Sequence, residues 1–421
     1  MQTPIQTPMD TSVQKLSVAA FFDGHDWQQN VEVSWQDGRI VAITALETLP
    51  DDVPAAALAS HDTDLCHTEL CHVAPRHAEP PHVVLPHGRL VPGFIDVQVN
   101  GGGGVLFNST PDVASLRQMR DAHAAYGTTA MLPTVITDSV AIMQQCADAI
   151  AAAIAAQEPG IIGIHFEGPH LSLPKKGVHP AAHIRPITPD EWQIYARQDL
   201  GIKVITVAPE HVSTDDIARL VELGVQVCLG HSNADAAQVQ AALAAGARGF
   251  THLFNAMSAL GSREPGMVGV ALADRNSWCG IILDGHHVHP LSAQLALYAK
   301  PRGKIMLVTD AMAPVGTTQA EFAFFDGVVR RDGDKLTAAS GALAGSVLDM
   351  AAAVRYAAST LAQPLSEALR MAALYPAEFL QCASHRGQLQ RGCAADMVWL
   401  SDQGDVLQCW INGRAMLPAS T

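Results

Sequence analysis

Side chains able to bind a metal or move a proton sit at the ends of short apolar runs through the middle of the chain. They are Asp96, Gln98 and Asn100; His165 and Glu167, followed by His170; His231; His252 with Asn255; Asp284 with His286 and His287; and Asp310. Histidine is the commonest metal ligand and the usual acid–base group near neutral pH. Two neutral imidazoles and one carboxylate suit Zn²⁺ or another borderline divalent ion, and they leave a coordination position for water, as a catalytic site needs. Any one of these residues alone reads as a solvated strand end. A carboxylate, two histidines and a late Asp at separate strand ends point together to a metal site.

Such residues converge only if the runs between them fold as strands of one sheet. From residue 90 onward, apolar runs such as RLVPGFIDVQVN, TTAMLPTVI, GIIGIHFEG, GIKVITVAPE, VQVCLGHS, RGFTHLFN, SWCGIILDG and KIMLVTD alternate with alanine-rich segments at 112–126, 139–157, 214–223, 235–246, 291–299 and 347–362. Eight β-branched, nearly all-apolar strands alternating with helices predict an α/β fold, a closed parallel (β/α)8 TIM-like barrel over 91–385. An open doubly wound sheet is the alternative. In a barrel, catalytic groups gather at the C-terminal ends of the strands, where these side chains lie.

The two chain ends differ in texture. Residues 16–90 begin with short alternating runs and an Asp37-Gly38 hairpin signal, and 386–421 return to short strands. Paired, they predict a small β-sandwich domain beside the barrel. Residues 1–15 read as a disordered tail. Residues 49–88, rich in proline and carrying histidines at 61, 67, 72, 77, 82 and 87, read as an irregular insert, either a tolerated surface loop or a metal-capturing His/Cys tract.

The chain has 421 residues, 26 Lys plus Arg, 41 Asp plus Glu, 19 His and a formal charge of −15. That balance speaks against nucleic acid, which demands clustered cations. No apolar run reaches the roughly 18 residues of a membrane span, and the start has no apolar signal-peptide core. Eight scattered cysteines without a CxxC pair read as reduced thiols, so a cytoplasmic location is expected.

In order along the chain stand LVPGFIDVQVNGGGG, HFEGPHLSLPKKGVHP, LGHSNAD, THLFNAMSALGSREPG, ILDGHHVHP, LVTDAMAP and LAGSVLDMAAAVR. This series strongly resembles the N-acetylglucosamine-6-phosphate deacetylase family of the amidohydrolase superfamily, over about 17–48 and 88–415. The resemblance implies deacetylation of a sugar phosphate in amino-sugar catabolism or cell-wall recycling. It implies Glu167, His231 and His252 as metal ligands, Asp310 as general acid–base and His179, protonated, as polariser of the amide carbonyl. It implies Asn255, Ala256, His287 and Leu343 as substrate contacts, and Arg263 as a phosphate ligand contributed across a homodimer interface. Many relatives carry His-x-His at the end of the first strand and hold two metals. Here the positions are Gln98 and Asn100; amides are poor ligands for borderline metals, so these two are expected to contact solvent or the ligand side chains at the place of an absent second metal. One divalent ion per subunit is therefore expected, Zn²⁺ first, with Fe²⁺, Co²⁺ or Mn²⁺ as alternatives. The C4 epimer, N-acetylgalactosamine 6-phosphate, is the nearest rival substrate. A cyclic-amide hydrolase lacks an evident carbamylated lysine, and an inactive scaffold is at odds with the intact ligand and acid–base residues.

Overall fold

The computed structural model describes residues 12–50 and 82–416. Eight parallel strands run in sequential order: β1 (Phe94–Val99), β2 (Thr128–Ile136), β3 (Gly163–Glu167), β4 (Ile202–Val207), β5 (Val225–Leu229), β6 (Gly249–Phe250), β7 (Trp278–Ile281) and β8 (Ile305–Leu307). Almost every strand residue is buried, as expected for parallel strands covered on both faces. Between β1 and β8 the barrel closes through a single bridge, Val99 to Ala311, with Asp310 N–H donating to the Gln98 carbonyl at 3.0 Å. The Thr309 hydroxyl donates to the Asp96 carboxylate across the same seam.

The outer helices start where the sequence offers caps. Asp112, Ser139, Ser213, Asp235 and Asp349 each accept a backbone N–H through the side chain at the head of a helix. The helices Val113–Ala124, Val140–Ala155, Thr214–Glu222, Ala236–Ala244, Pro290–Ala299 and Met350–Ser359 follow the predicted segments to within a few residues. Strand alternation in β3 turns His165 and Glu167 one way and Phe166 the other. Phe166 is fully buried, edge-on to Tyr195 with ring centroids 5.3 Å apart. Phe166→Ala is expected to cost about 3–5 kcal/mol of stability, measured by denaturant unfolding; a loss under 1 kcal/mol would mean the site strand is not anchored there.

Both chain ends build a separate seven-stranded sheet, in the order Arg414–Ala415, Val406–Ile411, Met397–Leu400, His82–Pro92, Gln14–Phe22, Trp27–Gln36, Arg39–Ala45. Hydrogen bonding makes it one continuous sheet, around a cluster that includes Leu16, Phe21, Trp35, Met397 and Trp410. Two expected boundaries move. Residues 82–88, expected in the irregular insert, belong to a strand, because Val84, Leu85, Leu90 and Val91 bury against their neighbours. Pro86 sits where the register shifts opposite Val18 and Ala20, and there it removes no ladder bond. A Cβ at Gly88 would lie 2.3 Å from the Leu400 carbonyl oxygen, so only glycine fits. Gln14 and Lys15, expected in the tail, pair with Trp35 and Ser34. The rest of the expected tail, 1–11, and of the expected insert, 51–81, lie outside the described residues.

A three-stranded antiparallel sheet, Glu321–Phe324, Gly327–Asp332 and Lys335–Ala338, follows β8. It packs Phe322, Phe324, Val329 and Leu336 against Leu106, Met312 and Ala313. Among the described residues no helix is long and apolar enough to cross a membrane.

Candidate metal centre and active site

Glu167 ends β3, His231 and His252 each lie two residues beyond β5 and β6, and Asp310 lies three beyond β8. The three potential ligands are buried, and His231 Nε2 and His252 Nε2 approach Glu167 Oε1 to 3.3 and 3.1 Å. The two imidazole nitrogens are 3.0 Å apart. Among the described residues this is a group of side chains that could hold a metal ion.

The donor set fits a cation. His231 Nδ1 lies 2.9 Å from the Lys175 carbonyl oxygen, which only accepts, so the proton sits on Nδ1. A neutral His231 therefore turns the lone pair of Nε2 toward Glu167 Oε1 and His252 Nε2. Lone pairs facing a carboxylate repel unless a positive charge lies between them, and an outer carbonyl fixing the tautomer is characteristic of ligating histidines. Backbone strain gathers here too. His231, His252 and Asp310 have φ of 46°, 34° and 52°, a region that non-glycine residues rarely occupy and that clusters at functional sites.

Gln98 and Asn100 reach into the same centre. Gln98 Nε2 donates to Glu167 Oε1 at 2.9 Å and to Asp310 Oδ1 at 3.2 Å. Asn100 Nδ2 donates to Asp310 Oδ1 at 2.6 Å. Burial raises Glu167, but the imidazoles of His231 and His252 beside it outweigh that effect and hold the carboxyl well below the usual range. Asp310 is pushed up to about 6, first by burial and then by the Glu167 charge.

His179 comes from the loop after β3. Its ring lies 4.4 Å from that of His231 and its Nδ1 is 2.8 Å from the Thr137 hydroxyl. Burial, reinforced by the neighbouring His231 imidazole, lowers it to about 3. The expected protonated form is thus corrected: His179 is neutral at pH 7, because a buried imidazole beside other imidazoles cannot keep a second proton.

The same cavity is lined by His287, Asn255, Ala256 and Leu343, together with Asn100 and Asp310. His287 Nδ1 is held at 2.6 Å by Asp284 Oδ2. Burial raises Asp284, but the His287 side chain together with the backbone N–H groups of His286 and His287 more than offsets it and lowers the carboxyl. Arg263 is not brought into this cavity by its own chain. It is exposed on the loop before the helix Gly266–Ala273. It does not pair with Glu264, whose Oε1 instead accepts the Ala236 and Gly266 backbone N–H groups. Phe324 and Met312 complete the wall and were not foreseen. Phe324 arrives on the small sheet, whose Asp326-Gly327 and Asp332-Gly333 pairs are hairpin signals in the sequence.

Other histidines are structural. His165 spends both ring nitrogens on the Val97 carbonyl and the Thr206 hydroxyl, at 2.9 and 2.7 Å. His170 is buried between the Arg185 carbonyl and the Tyr195 hydroxyl. His123 is buried against the Gly101 carbonyl.

Residues 89–416 match the amidohydrolase family. Over 332 residues the chain is 59% identical to an N-acetylgalactosamine-6-phosphate deacetylase of Shewanella sp. (strain ANA-3), covering 79% of this chain and 84% of that one. Its fold superimposes on the N-acetylglucosamine-6-phosphate deacetylase of Pasteurella multocida with a TM-score of 0.85 and 30% identity, covering 96% and 99% of the two chains. It also superimposes on a mutant of the Mycobacterium smegmatis N-acetyl-D-glucosamine-6-phosphate deacetylase in complex with N-acetyl-D-glucosamine-6-phosphate, with a TM-score of 0.83, 26% identity and coverage of 96% and 100%. The chain therefore belongs to the amidohydrolase family and, within it, to the deacetylases of N-acetylated hexosamine 6-phosphates, hydrolases that cleave an amide bond.

Proposed function

We propose that the enzyme hydrolyses N-acetyl-D-glucosamine 6-phosphate to D-glucosamine 6-phosphate and acetate, with Glu167, His231 and His252 holding one divalent ion, Zn²⁺ by preference. The observation that carries this reading is the convergence of those three ligands with Asp310 in one cavity lined by His287. Held by these residues, a divalent ion would supply Lewis acidity and a lowered pKa, toward roughly 7, for the attacking water. Asp310 takes a proton from the attacking water. Neutral His179, with Nδ1 accepting from the Thr137 hydroxyl, carries its proton on Nε2 and offers it to the acetyl carbonyl oxygen as charge develops there. Asp310 then passes its proton to the amine nitrogen, the C–N bond breaks, and acetate and the amino sugar leave.

A second reading is favoured by the 59% identical Shewanella relative, named for the galactosamine epimer. The two substrates differ at C4, remote from the scissile amide, so the same machinery serves both. The test is kcat/KM for acetate release from both epimers and from their unphosphorylated forms. Turnover of both phosphates, with the phosphate-free sugars far poorer, supports the proposal. Equal turnover with and without phosphate overturns it.

The phosphate site is part of the proposal, with Arg263 donated by a second subunit to act beside His287. Leu291, Leu295 and Tyr298 occupy one face of the helix Pro290–Ala299 at i, i+4 and i+7 and are exposed, as is Leu260 on the Arg263 loop. Arg263→Ala is expected to raise KM for the phosphorylated substrate about 10–100-fold, since a hydrogen bond to a charged group is worth about 1.5–3 kcal/mol. Leu295→Asp should yield monomers with the same defect. An unchanged KM in a monomeric Leu295→Asp variant, read against its sedimentation, would contradict the shared site. A reducing cytoplasmic setting belongs to the same proposal, since Cys146, Cys228, Cys279, Cys382, Cys393 and Cys409 carry free thiols.

A further inference from the structure

The Asn100 side chain is almost fully buried and lines the cavity directly after β1. Its amide nitrogen is committed, because Asp310 Oδ1, 2.6 Å away, accepts and does not donate when ionised. The amide oxygen must then face elsewhere. Asn100 Oδ1 is buried and has no hydrogen-bond partner among the described residues. An unpaired buried acceptor is costly, so a donor from outside the protein completes it.

The attacking water makes a definite demand. It must turn a lone pair to the acetyl carbon and one O–H to Asp310. Its second O–H then needs an acceptor. Both Asn100 and Gln98 donate to Oδ1 of Asp310, which leaves Oδ2 as the oxygen free to take the proton.

Resting on the deacetylase reading above, we propose that Asn100 is a positioning residue with two tasks: Nδ2 orients Asp310, and Oδ1 accepts the second hydrogen of the nucleophilic water. Attack forms the carbon–oxygen bond while Asp310 takes the first proton, and Asn100 changes neither charge nor bonding.

The test compares the full-length wild type, Asn100→Ala and Asn100→Asp for acetate release from N-acetylglucosamine 6-phosphate, with metal content and Tm measured on each. Misplacing a reacting group by about 1 Å costs on the order of 10²-fold. Asn100→Ala is therefore expected to lose kcat by about 10²-fold, with KM within about threefold and metal content unchanged. Asn100→Asp keeps the shape and the acceptor but sets a carboxylate oxygen against Asp310, so kcat falls there too, and it carries the test if the alanine variant does not fold. A kcat within about threefold of wild type in either folded variant overturns the proposal. So does a raised KM with kcat retained, which would assign Oδ1 to the sugar. A wild type that releases no acetate overturns the deacetylase reading and this inference together, and is distinguished by failing before any substitution is made.

Discussion

Asp310→Asn is expected to lower kcat by about 10²–10⁴-fold, the range for losing a general acid–base group. The substitution leaves shape intact, and a side-chain amide can still accept a hydrogen bond, so folding and substrate affinity should change little. What is lost is the ability to hold a proton between attack and departure of the amine. The pH profile checks the same residue. Burial and the Glu167 charge raise Asp310 to about 6, so its ionised, proton-accepting form is depleted as pH falls below that value. A cation beside Glu167 opposes the Glu167 contribution and moves the limb downward. The wild-type kcat/KM should therefore be level at neutral pH and fall on the acid side, with a limb no higher than about 6. Near-normal turnover in Asp310→Asn, or an acid limb well above 7, would remove Asp310 from the role proposed for it.

Glu167→Gln is expected to abolish tight metal binding and with it activity, by more than the roughly 10–100-fold typical of losing a supporting contact around a metal site. The substitution exchanges the charged ligand of the set for a neutral amide while preserving size. It also removes the negative charge that faces His231 Nε2 and His252 Nε2 at 3.3 and 3.1 Å. Metal analysis after dialysis, alongside acetate release, separates this from misfolding, since the variant should keep its helical signal while losing the ion. A variant that retains one ion per chain and normal turnover would mean that the three residues are not the ligands.

Much of this arrangement is legible in the residues. Continuous apolar runs mark strands covered on both faces, and Asp112, Ser139, Ser213, Asp235 and Asp349 mark helix starts, so the barrel follows from local signals that agree with one another. Glu167, His231, His252 and Asp310 stand out because polar groups end otherwise apolar strands. The pieces missed depend on contacts far apart in sequence. His170 is adjacent to the site in the chain, but its partners are the Arg185 carbonyl and Tyr195, and these tie it into the core. The strand His82–Pro92 is obscured by Pro86 and two histidines, and its pairing with Gln14–Phe22 spans more than sixty residues of chain. The charge state of His179 depends on burial and on its distance from His231, neither of which spacing reveals. Arg263 is exposed on its own chain and lies outside the cavity.

Metal-dependent deacetylation is tested by acetate release from N-acetylglucosamine 6-phosphate by enzyme stripped with chelator and then titrated with Zn²⁺. No turnover is expected in the stripped protein, and recovery should saturate at one ion per chain, because Gln98 and Asn100 offer no second pair of ligands. Full activity after stripping, or recovery that requires two ions per chain, would contradict one-metal catalysis.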